Sequence, residues 1–216
     1  MSELRDRGCA LLPASQVPLP LDFARKVQPT AAGDRGLLRE PWCRELAATL
    51  RAVLIERALL AADAVAVQCT LFHKDTDRNW LVALHQDLAV PLRERRDAPG
   101  FSAWSLKDGV PFAHAPDDLL AHMLGARVHL DPADTTNGAL LVVPGSHRDG
   151  RLDAAAAHAL RERDGEQLCA AQAGDVWLLR PLLLHRSAKS ATGQPRRVLH
   201  FLFGPPVPAS GLGWPA

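Results

Sequence analysis

Apolar residues recur every three or four positions in one segment of the N-terminal third of the chain. Between Pro41 and Arg57 they are Trp42, Leu46, Leu50, Val53 and Leu54. This spacing predicts an amphipathic helix that packs one face on a larger body, and Pro41 suits its first turn. Residues 13–40 are rich in Pro and Gly, so we expect residues 1–40 to form an irregular N-terminal segment.

Short apolar runs replace the helical pattern farther along the chain. They span residues 64–72, 80–84, 126–130, 139–143, 176–179 and 197–203, with turn-forming groups between them. A second helix is predicted at about residues 153–162. The pattern indicates a mainly β, α+β protein in which helices back a β-sandwich or barrel. No repeat or linker divides it, so we expect one domain over residues 1–216.

Composition and charge exclude several classes of partner. The net charge is +1, from 25 basic and 24 acidic side chains, and no charge block stands out, so nucleic acid and anionic membranes are poor candidates. No apolar run is long enough for a membrane span, and the N-terminus has no signal-peptide pattern. Cys9, Cys43, Cys69 and Cys169 lack pair spacing, so we expect a cytoplasmic protein with reduced thiols. The sequence leaves the oligomeric state open.

Candidate chemistry lies at the ends of two predicted strands. Residues two apart in a strand point to the same face, so His85 and Asp87 can direct a nitrogen and an oxygen at one point. His185 follows the apolar run 182–184. Two histidines and one carboxylate form the facial triad of Fe(II) oxygenases, which leaves open positions for a 2-oxo acid and for O2.

A cation that suits a dicarboxylic co-substrate follows the last of these residues. Arg196 lies eleven residues after His185, and its guanidinium can bind a carboxylate in a two-pronged pair. Each signal also has an ordinary explanation, because His-x-Asp pairs arise by chance and most strand-end histidines and C-terminal arginines are structural. The residues alone leave the metal site and the structural explanation about equally favoured.

Four stretches of the sequence resemble one known family. They are LFHKDTDRNWLVALHQD at 71–87, GFSAWSLKDGVPFAH at 100–114, NGALLVVPGSHRDGRL at 137–152 and AGDVWLLRPLLLHRSAKSATGQPRRVLHF at 173–201. In this order they resemble the phytanoyl-CoA dioxygenase family of Fe(II)- and 2-oxoglutarate-dependent oxygenases, above all its uncharacterised bacterial members. The resemblance implies a double-stranded β-helix, a cupin-like jelly roll backed by helices, with its core at residues 64–204.

The resemblance also implies roles for individual residues. His85, Asp87 and His185 become the Fe(II) ligands. Arg196 and Ser187 would hold the far carboxylate of 2-oxoglutarate, and the family's pocket tryptophan matches Trp104. Two further residues, Lys74 and Asn79, are weaker pocket candidates beside the alternatives of a surface lysine and a turn asparagine. Relatives often have Asp at the position of His73, which leaves the charge at the pocket edge open.

The implied reaction converts 2-oxoglutarate and O2 into succinate and CO2 while a small-molecule substrate is oxidised. Because Asp87 is present, hydroxylation is favoured over halogenation, whose enzymes lack this carboxylate. Arg127 and His129 share a strand face and either touch the substrate or form an internal pair. No basic cluster in the sequence indicates a CoA substrate. Residues 100–116 combine Gly and Pro with aromatic residues and are predicted to form an ordered lid that places Trp104 against the co-substrate.

Two other functions remain open at this point. One is a cupin-like enzyme that uses a different divalent metal without 2-oxoglutarate. The other is a catalytically inactive β-sandwich that binds a ligand. Arg196 argues against the first alternative, and the intact set of His85, Asp87 and His185 argues against the second.

Overall fold

Two antiparallel β-sheets pack against each other and enclose the candidate site. The computed structural model describes residues 2–20, 22, 27, 33–207 and 211–215. In these residues the strands are, in chain order, β1 Cys9–Leu12, β2 Gly33–Asp34, β3 Val65–Lys74, β4 Val82–His85, β5 Ala89–Pro91, β6 Ser102–Lys107, β7 Val110–His114, β8 Leu124–His129, β9 Leu140–Val142, β10 Gln167–Cys169, β11 Val176–Leu179, β12 His185–Ser187 and β13 Arg196–Gly204. The helices are α1 Ser2–Arg7, α2 Pro41–Glu56, α3 Asp117–Ala121 and α4 Ala154–Asp164.

The strand orders confirm the predicted fold class. The larger sheet runs β1-β11-β8-β13-β3-β2 and the smaller one β10-β9-β12-β4. A hydrogen bond from Lys74 on β3 to Ser187 on β12 connects the two sheets. The protein is a cupin-like jelly roll, mostly β with few helices.

Alternation along the central strands decides which side chains face the space between the sheets. The register pairs Lys74 with Arg196 and Phe72 with Val198 on the inner face. Leu71 and Phe201 point to the opposite face of the same strands and belong to a hydrophobic core there. One face of the larger sheet is therefore packed with apolar side chains, while the other carries the charged groups of the site.

Helix α2 covers the apolar face of the larger sheet. Its residues Leu46, Leu50 and Leu54 are fully buried in the same core as Phe201. The helix begins at Pro41 as predicted and ends at Glu56, one residue earlier than expected. Helix α4 likewise confirms the second predicted helix, since Asp153 caps it by accepting a hydrogen bond from the backbone N–H of Ala156.

The strand predictions are confirmed where apolar runs are long and incomplete elsewhere. Each of the six predicted runs contains a strand, namely β3, β4, β8, β9, β11 and β13. The strands β5 and β10 were not predicted, and β12 begins directly after the apolar run 182–184; each of these three strands is three residues long. Three residues are too few to show a period of two, so only pairing with neighbouring strands defines them.

The prediction of an irregular N-terminal segment is wrong for the start of the chain. Residues 2–7 form α1, and β1 pairs with β11, with Cys9 opposite Leu179. Strand β2 pairs with β3. The signal at Leu11 and Leu12 is too short to predict a strand from the sequence, and β1 exists because it extends the larger sheet. Residues 1, 21, 23–26 and 28–32, also within the predicted segment, lie outside the described residues.

The predicted lid at residues 100–116 is a β-hairpin instead of a loop. Strands β6 and β7 pair with each other, and β7 also pairs with β5 in a third sheet. The turn residues Asp108 and Gly109 both have positive φ, 49° and 79°, which is the backbone of a tight two-residue hairpin. The Asp-Gly pair suits this turn because these residues tolerate the left-handed region best.

Membrane-spanning helices are absent from the described part of the chain. None of its helices combines the length and the apolar character needed to cross a bilayer.

Candidate metal and co-substrate site

Three side chains from two neighbouring strands converge at one end of the smaller sheet. His185 on β12 lies directly opposite His85 on β4, and their ring centroids are 4.2 Å apart. Asp87 follows β4, and its backbone N–H donates to the carbonyl of Pro181. The carboxylate of Asp87 lies 3.5 Å from His85 Nε2 and 3.6 Å from His185 Nε2.

The donor atoms of this cluster fit one divalent metal ion. One ligand atom from each of His85, Asp87 and His185 lies within 4.8 Å of the others. In each histidine Nδ1 donates to a backbone carbonyl, that of Ala83 or of Leu183, which leaves Nε2 as the lone-pair nitrogen facing the shared point. Two imidazoles and one carboxylate on one side of a metal match the facial triad of non-haem Fe(II) sites.

The electrostatics keep Asp87 and His185 in the protonation states that a metal needs, whereas they favour a proton on His85. Burial lowers the pKa of His185 to about 4, so this imidazole is neutral at pH 7. Burial would raise the pKa of Asp87, but the charge of His185 and the hydrogen bond from His85 hold it well below its usual range. For His85, burial is outweighed by the hydrogen bond and charge of Asp87, which raise its pKa. Metal binding would have to displace any proton on His85.

Gln86, between the two ligands, points away from the metal cluster and anchors the strand end. Its amide nitrogen donates to the carbonyls of Gly150 and Leu182, both at 2.7 Å, and its oxygen accepts from the N–H of Leu152 at 3.0 Å. These bonds tie the connection after β4 to two other loops. They hold the backbone between His85 and Asp87 without using either ligand side chain.

A group of buried cations lies on the inner face of the larger sheet. Lys74 is fully buried, while Arg196 and Arg127 are 3% and 7% exposed. None of the three has a carboxylate within ion-pair distance among the described residues. The Nε atoms of both arginines are buried without a hydrogen-bond partner. We refer to Lys74, Arg127 and Arg196 as the cation cluster.

Burial and mutual repulsion make the charges of the cation cluster unfavourable. Burial, followed by the charges of Arg196 and Arg127, lowers the pKa of Lys74 to about 8. Burial and then the charge of Arg127 lower the pKa of Arg196. Burial lowers the pKa of Arg127, which the charge of Asp87 partly offsets. Buried charges without counter-ions are costly, so this region is suited to an anion.

Ser187 and His129 complete the surroundings of the cation cluster. Ser187 Oγ accepts a hydrogen bond from Lys74 Nζ at 2.8 Å, and the carbonyl of Ala188 accepts another at 2.6 Å. His129 is buried, and burial followed by the charges of Arg127 and Arg196 lowers its pKa to about 3. Its Nδ1 has no hydrogen-bond partner in the described structure. Arg127 and His129, predicted to touch the substrate or to form an internal pair, thus lie beside Arg196.

Two residues predicted to bind the co-substrate have other surroundings. The side-chain amide of Asn79 makes two hydrogen bonds to the backbone of Ser190, at 2.7 and 2.8 Å. Trp104 lies on β6 and packs, half-buried, on a hydrophobic cluster that includes Val90 and Met123. It does not line the cavity beside the metal ligands. The predicted contacts of both residues with the co-substrate stay predictions, and β6, which carries Trp104, is an outer strand of the third sheet.

His73 lies on the side of β3 opposite to Lys74. It pairs across the sheet with Arg197, and its Nε2 lies 3.3 Å from Asp75. Arg197 binds Asp131 through two hydrogen bonds, at 2.8 and 2.9 Å. Neither residue faces the site, so the replacement of Asp by His at this position does not alter the charge of the cation cluster directly.

A cavity of about 570 Å³ adjoins the metal ligands, and it includes residues that the sequence did not indicate. Both sheets contribute to it, with Thr70, Phe72 and His200 from the larger one. Burial, then the charge of Arg127, lowers the pKa of His200 to about 3, so the imidazole is neutral. The signal that could have found His200 is its position four residues after Arg196, on the same face of β13.

Comparisons with known proteins identify the family and the fold. The sequence model of the phytanoyl-CoA dioxygenase (PhyH) family matches residues 23–198. EctD from S. alaskensis with 2-oxoglutarate and 5-hydroxyectoine has a TM-score of 0.68 and 21% identity, over 94% of this chain and 74% of that one. The epimerase SnoN in complex with Fe3+, alpha ketoglutarate and nogalamycin RO has a TM-score of 0.67 and 17% identity, over 100% and 84%. AviO1 from Streptomyces viridochromogenes Tue57 has a TM-score of 0.64 and 18% identity, over 97% and 95%.

No curated protein matches the chain at the level of sequence. The structural likeness at these low identities establishes the fold, and the match of the family model covers most of the chain. The chain belongs to the phytanoyl-CoA dioxygenase family.

Proposed function

We propose that His85, Asp87 and His185 bind Fe(II) and that the cation cluster binds 2-oxoglutarate beside it, so that a small molecule is oxidised. Family membership identifies the chain as an iron- and 2-oxoglutarate-dependent dioxygenase. The observation that carries the residue assignment is a three-ligand metal cluster next to buried cations without counter-ions. A dianion that also chelates a metal satisfies both features.

The protein's first task in this reaction is to orient the co-substrate. Arg196 would bind the far carboxylate in a charge-assisted pair, and Lys74 would add a second charge through its position beside Ser187. With this end fixed, the 2-oxo acid end is directed toward the metal ligands. Bound Fe(II) would supply the reaction with O2 that converts 2-oxoglutarate to succinate and CO2 and oxidises the substrate.

A second task is to keep water away from the reacting groups. Leu84, Leu184, Leu202 and Phe72 line the cavity beside the metal ligands. Apolar walls leave few positions where an ordered water would find hydrogen-bond partners. Because Asp87 occupies the carboxylate position of the triad, we propose hydroxylation or a related oxidation and not halogenation.

The substrate is proposed to be a small molecule. The structural relatives bind 5-hydroxyectoine in EctD and nogalamycin RO in SnoN, and a cavity of about 570 Å³ suits a ligand of modest size. The cytoplasm is the proposed location, and four free, buried cysteines support this choice.

Succinate release tests the proposed function. Iron-loaded protein incubated with 2-oxoglutarate and O2 should form succinate, and a true substrate should increase the rate in a screen of small metabolites. His185→Ala should abolish the reaction, while Arg5→Gln, an exposed change, should not alter it. A protein that binds metal but neither binds nor consumes 2-oxoglutarate would indicate the cupin-like alternative. A native protein that binds neither metal nor 2-oxoglutarate would indicate the catalytically inactive binding protein.

A further inference from the structure

A second cavity adjoins the metal cavity and is lined by positive charge. Its volume is about 410 Å³. Five cationic side chains line it: Arg35, Arg39, Arg44, Arg51 and Lys107. Asp108 is the acidic residue among the lining residues. The remaining lining is largely apolar, with Val67, Val110 and Phe112 among its members.

Four residues belong to both cavities, which makes them the junction between the two. They are Arg35, Gln68, Lys107 and Phe112. A molecule whose reacting carbon lies beside the metal ligands must pass this junction to enter the second cavity. The junction is therefore in a position to select substrates.

The two junction cations have different contacts from Arg44 and Arg51. Arg44 and Arg51 donate their hydrogen bonds to backbone carbonyls around helix α2. Lys107 lies over the ring of Phe112, 4.7 Å from its centroid, and has no ion-pair partner among the described residues. Arg35 contacts Asp108 at 3.3 Å, with about a third of its side chain exposed.

The surroundings of Lys107 contain the cation Arg35, which is itself paired with Asp108. Burial and then the charge of Arg35 lower the pKa of Lys107, and the charge of Asp87 acts in the opposite direction. Asp87 thus lies within electrostatic range of Lys107, which connects the junction to the metal site. Lys107 is the junction cation without an ion-pair partner among the described residues, so an anion beside it would be stabilised, and the N–H groups of Arg35 that do not contact Asp108 can bind the same anion.

Resting on the proposed function, we propose that the primary substrate is an organic anion whose carboxylate or phosphate binds between Lys107 and Arg35. Its reacting carbon would lie in the metal cavity. Gln68, whose amide nitrogen donates to Thr70 at 2.7 Å, lies at the same junction. The anion subsite is separate from the cation cluster, so both can be filled together.

The test uses four ring compounds of similar size and different charge. They are benzoate, phenyl phosphate, benzyl alcohol and benzylamine. Binding is measured by ligand-observed NMR on protein loaded with Zn(II) in place of iron, with saturating 2-oxoglutarate so that the cation cluster is occupied. We expect benzoate or phenyl phosphate to bind at least about tenfold more tightly than the alcohol or the amine. The tighter of the two anions identifies the preferred group.

Variants locate the anion on the junction. Lys107→Gln and Arg35→Gln should each weaken anion binding about tenfold, and Arg5→Gln, which removes an exposed charge outside both cavities, should leave it unchanged. If Lys107→Gln does not fold, Arg35→Gln decides the matter. Equal binding of all four probes, or unchanged anion binding in the junction variants, would overturn the proposal.

A separate titration keeps this result independent of the proposed function. Binding of 2-oxoglutarate to the Zn(II) form is measured first in every variant, and Lys107→Gln and Arg35→Gln should retain it. If the native protein fails to bind 2-oxoglutarate, the proposed function is wrong while the anion result still stands by itself.

Discussion

Lys74 carries a charge that the fold places between two arginines with no counter-ion. It is fully buried, it pairs across the sheet with Arg196, and its pKa is lowered from 10.5 to about 8. A group held in this way costs stability in the absence of a ligand and contributes to binding when an anion arrives. At the residue scale, the site is thus prepared for its co-substrate at the expense of the free protein.

Replacing Lys74 should stabilise the ligand-free protein and weaken 2-oxoglutarate binding. We predict that Lys74→Met raises the free energy of unfolding of the ligand-free protein at pH 7 by roughly 1–3 kcal/mol, since each pKa unit corresponds to about 1.4 kcal/mol. The same variant should bind 2-oxoglutarate more weakly. Denaturant unfolding and a 2-oxoglutarate titration measure the two effects. A variant that is less stable and binds 2-oxoglutarate normally would show that the charge of Lys74 is compensated in the ligand-free protein and does not contribute to binding.

The pH dependence of stability follows from the same shift. Between pH 8 and 10.5 the unfolded chain binds the Lys74 proton more tightly than the folded one, so unfolding free energy should rise with pH across this window. Below pH 8 both states are protonated and the full cost is present. The rise should be smaller in Lys74→Met. Identical profiles of the native protein and the variant between pH 8 and 10.5 would contradict the assignment.

Arg196 should matter for 2-oxoglutarate far more than for the metal. We predict that Arg196→Ala weakens 2-oxoglutarate binding by roughly 3–5 kcal/mol because it removes one partner of a buried charge pair. Metal affinity should change little, since His85, Asp87 and His185 keep their positions. Arg197→Ala is the matched control, because that neighbour binds Asp131 on the other face of the sheet. An effect of Arg197→Ala equal to that of Arg196→Ala would place the carboxylate elsewhere.

Single residues were predicted well where a strand end and a motif coincide. His85, Asp87 and His185 come together because β4 and β12 pair with the two histidines opposite each other. The surroundings of Asn79 and Trp104 could not be predicted because they depend on loops and on an outer hairpin, which spacing does not reveal. The cation cluster was only partly visible, since Lys74, Arg127 and Arg196 lie on three separate strands.

At the scale of elements, helix α2 and the larger sheet form the supporting core of the site. Leu50 is fully buried on the side of the sheet opposite to the cation cluster. The helix was predictable because its apolar period extends over four turns. The short strands β5 and β10 were not, because their stability comes from pairing with neighbours that are distant in sequence.

A core substitution tests whether the stability of the fold and the ligand affinities of the site are independent. We predict that Leu50→Ala lowers the free energy of unfolding by about 2–5 kcal/mol, since it removes buried methyl groups and leaves a cavity. The affinities of the folded fraction for Zn(II) and 2-oxoglutarate should be unchanged, because α2 does not contact the metal ligands. Thermal unfolding and ligand titrations at a temperature where the variant is folded give both quantities. A weakened metal site would mean that the core and the site are coupled.

The tertiary structure of the whole molecule brings together basic residues that are far apart in the sequence. Five basic residues between positions 35 and 107 line one cavity, although no charge block occurs in the chain. The sequence shows no basic cluster that would indicate a CoA substrate, but the fold brings these five basic residues to one cavity. Overall composition gives a net charge of +1, but it does not report where the tertiary structure concentrates that charge.

Ligand binding should stabilise the molecule in a defined order. We predict that saturating 2-oxoglutarate alone raises the melting temperature little, and that Zn(II) together with 2-oxoglutarate raises it by several degrees. A ligand at a hundredfold its Kd adds about 2.7 kcal/mol to the free energy of unfolding. Differential scanning fluorimetry with each ligand alone and combined measures this. Equal shifts with and without metal would show that the two sites do not cooperate.

Anaerobic binding of Fe(II) and 2-oxoglutarate tests the central claim most directly, because it does not require the unknown substrate. We predict one Fe(II) per chain, 2-oxoglutarate binding that depends on this iron, loss of both in His185→Ala, and loss of 2-oxoglutarate alone in Arg196→Ala. Iron bound equally well by His185→Ala, or 2-oxoglutarate bound equally well by Arg196→Ala, would contradict the claim.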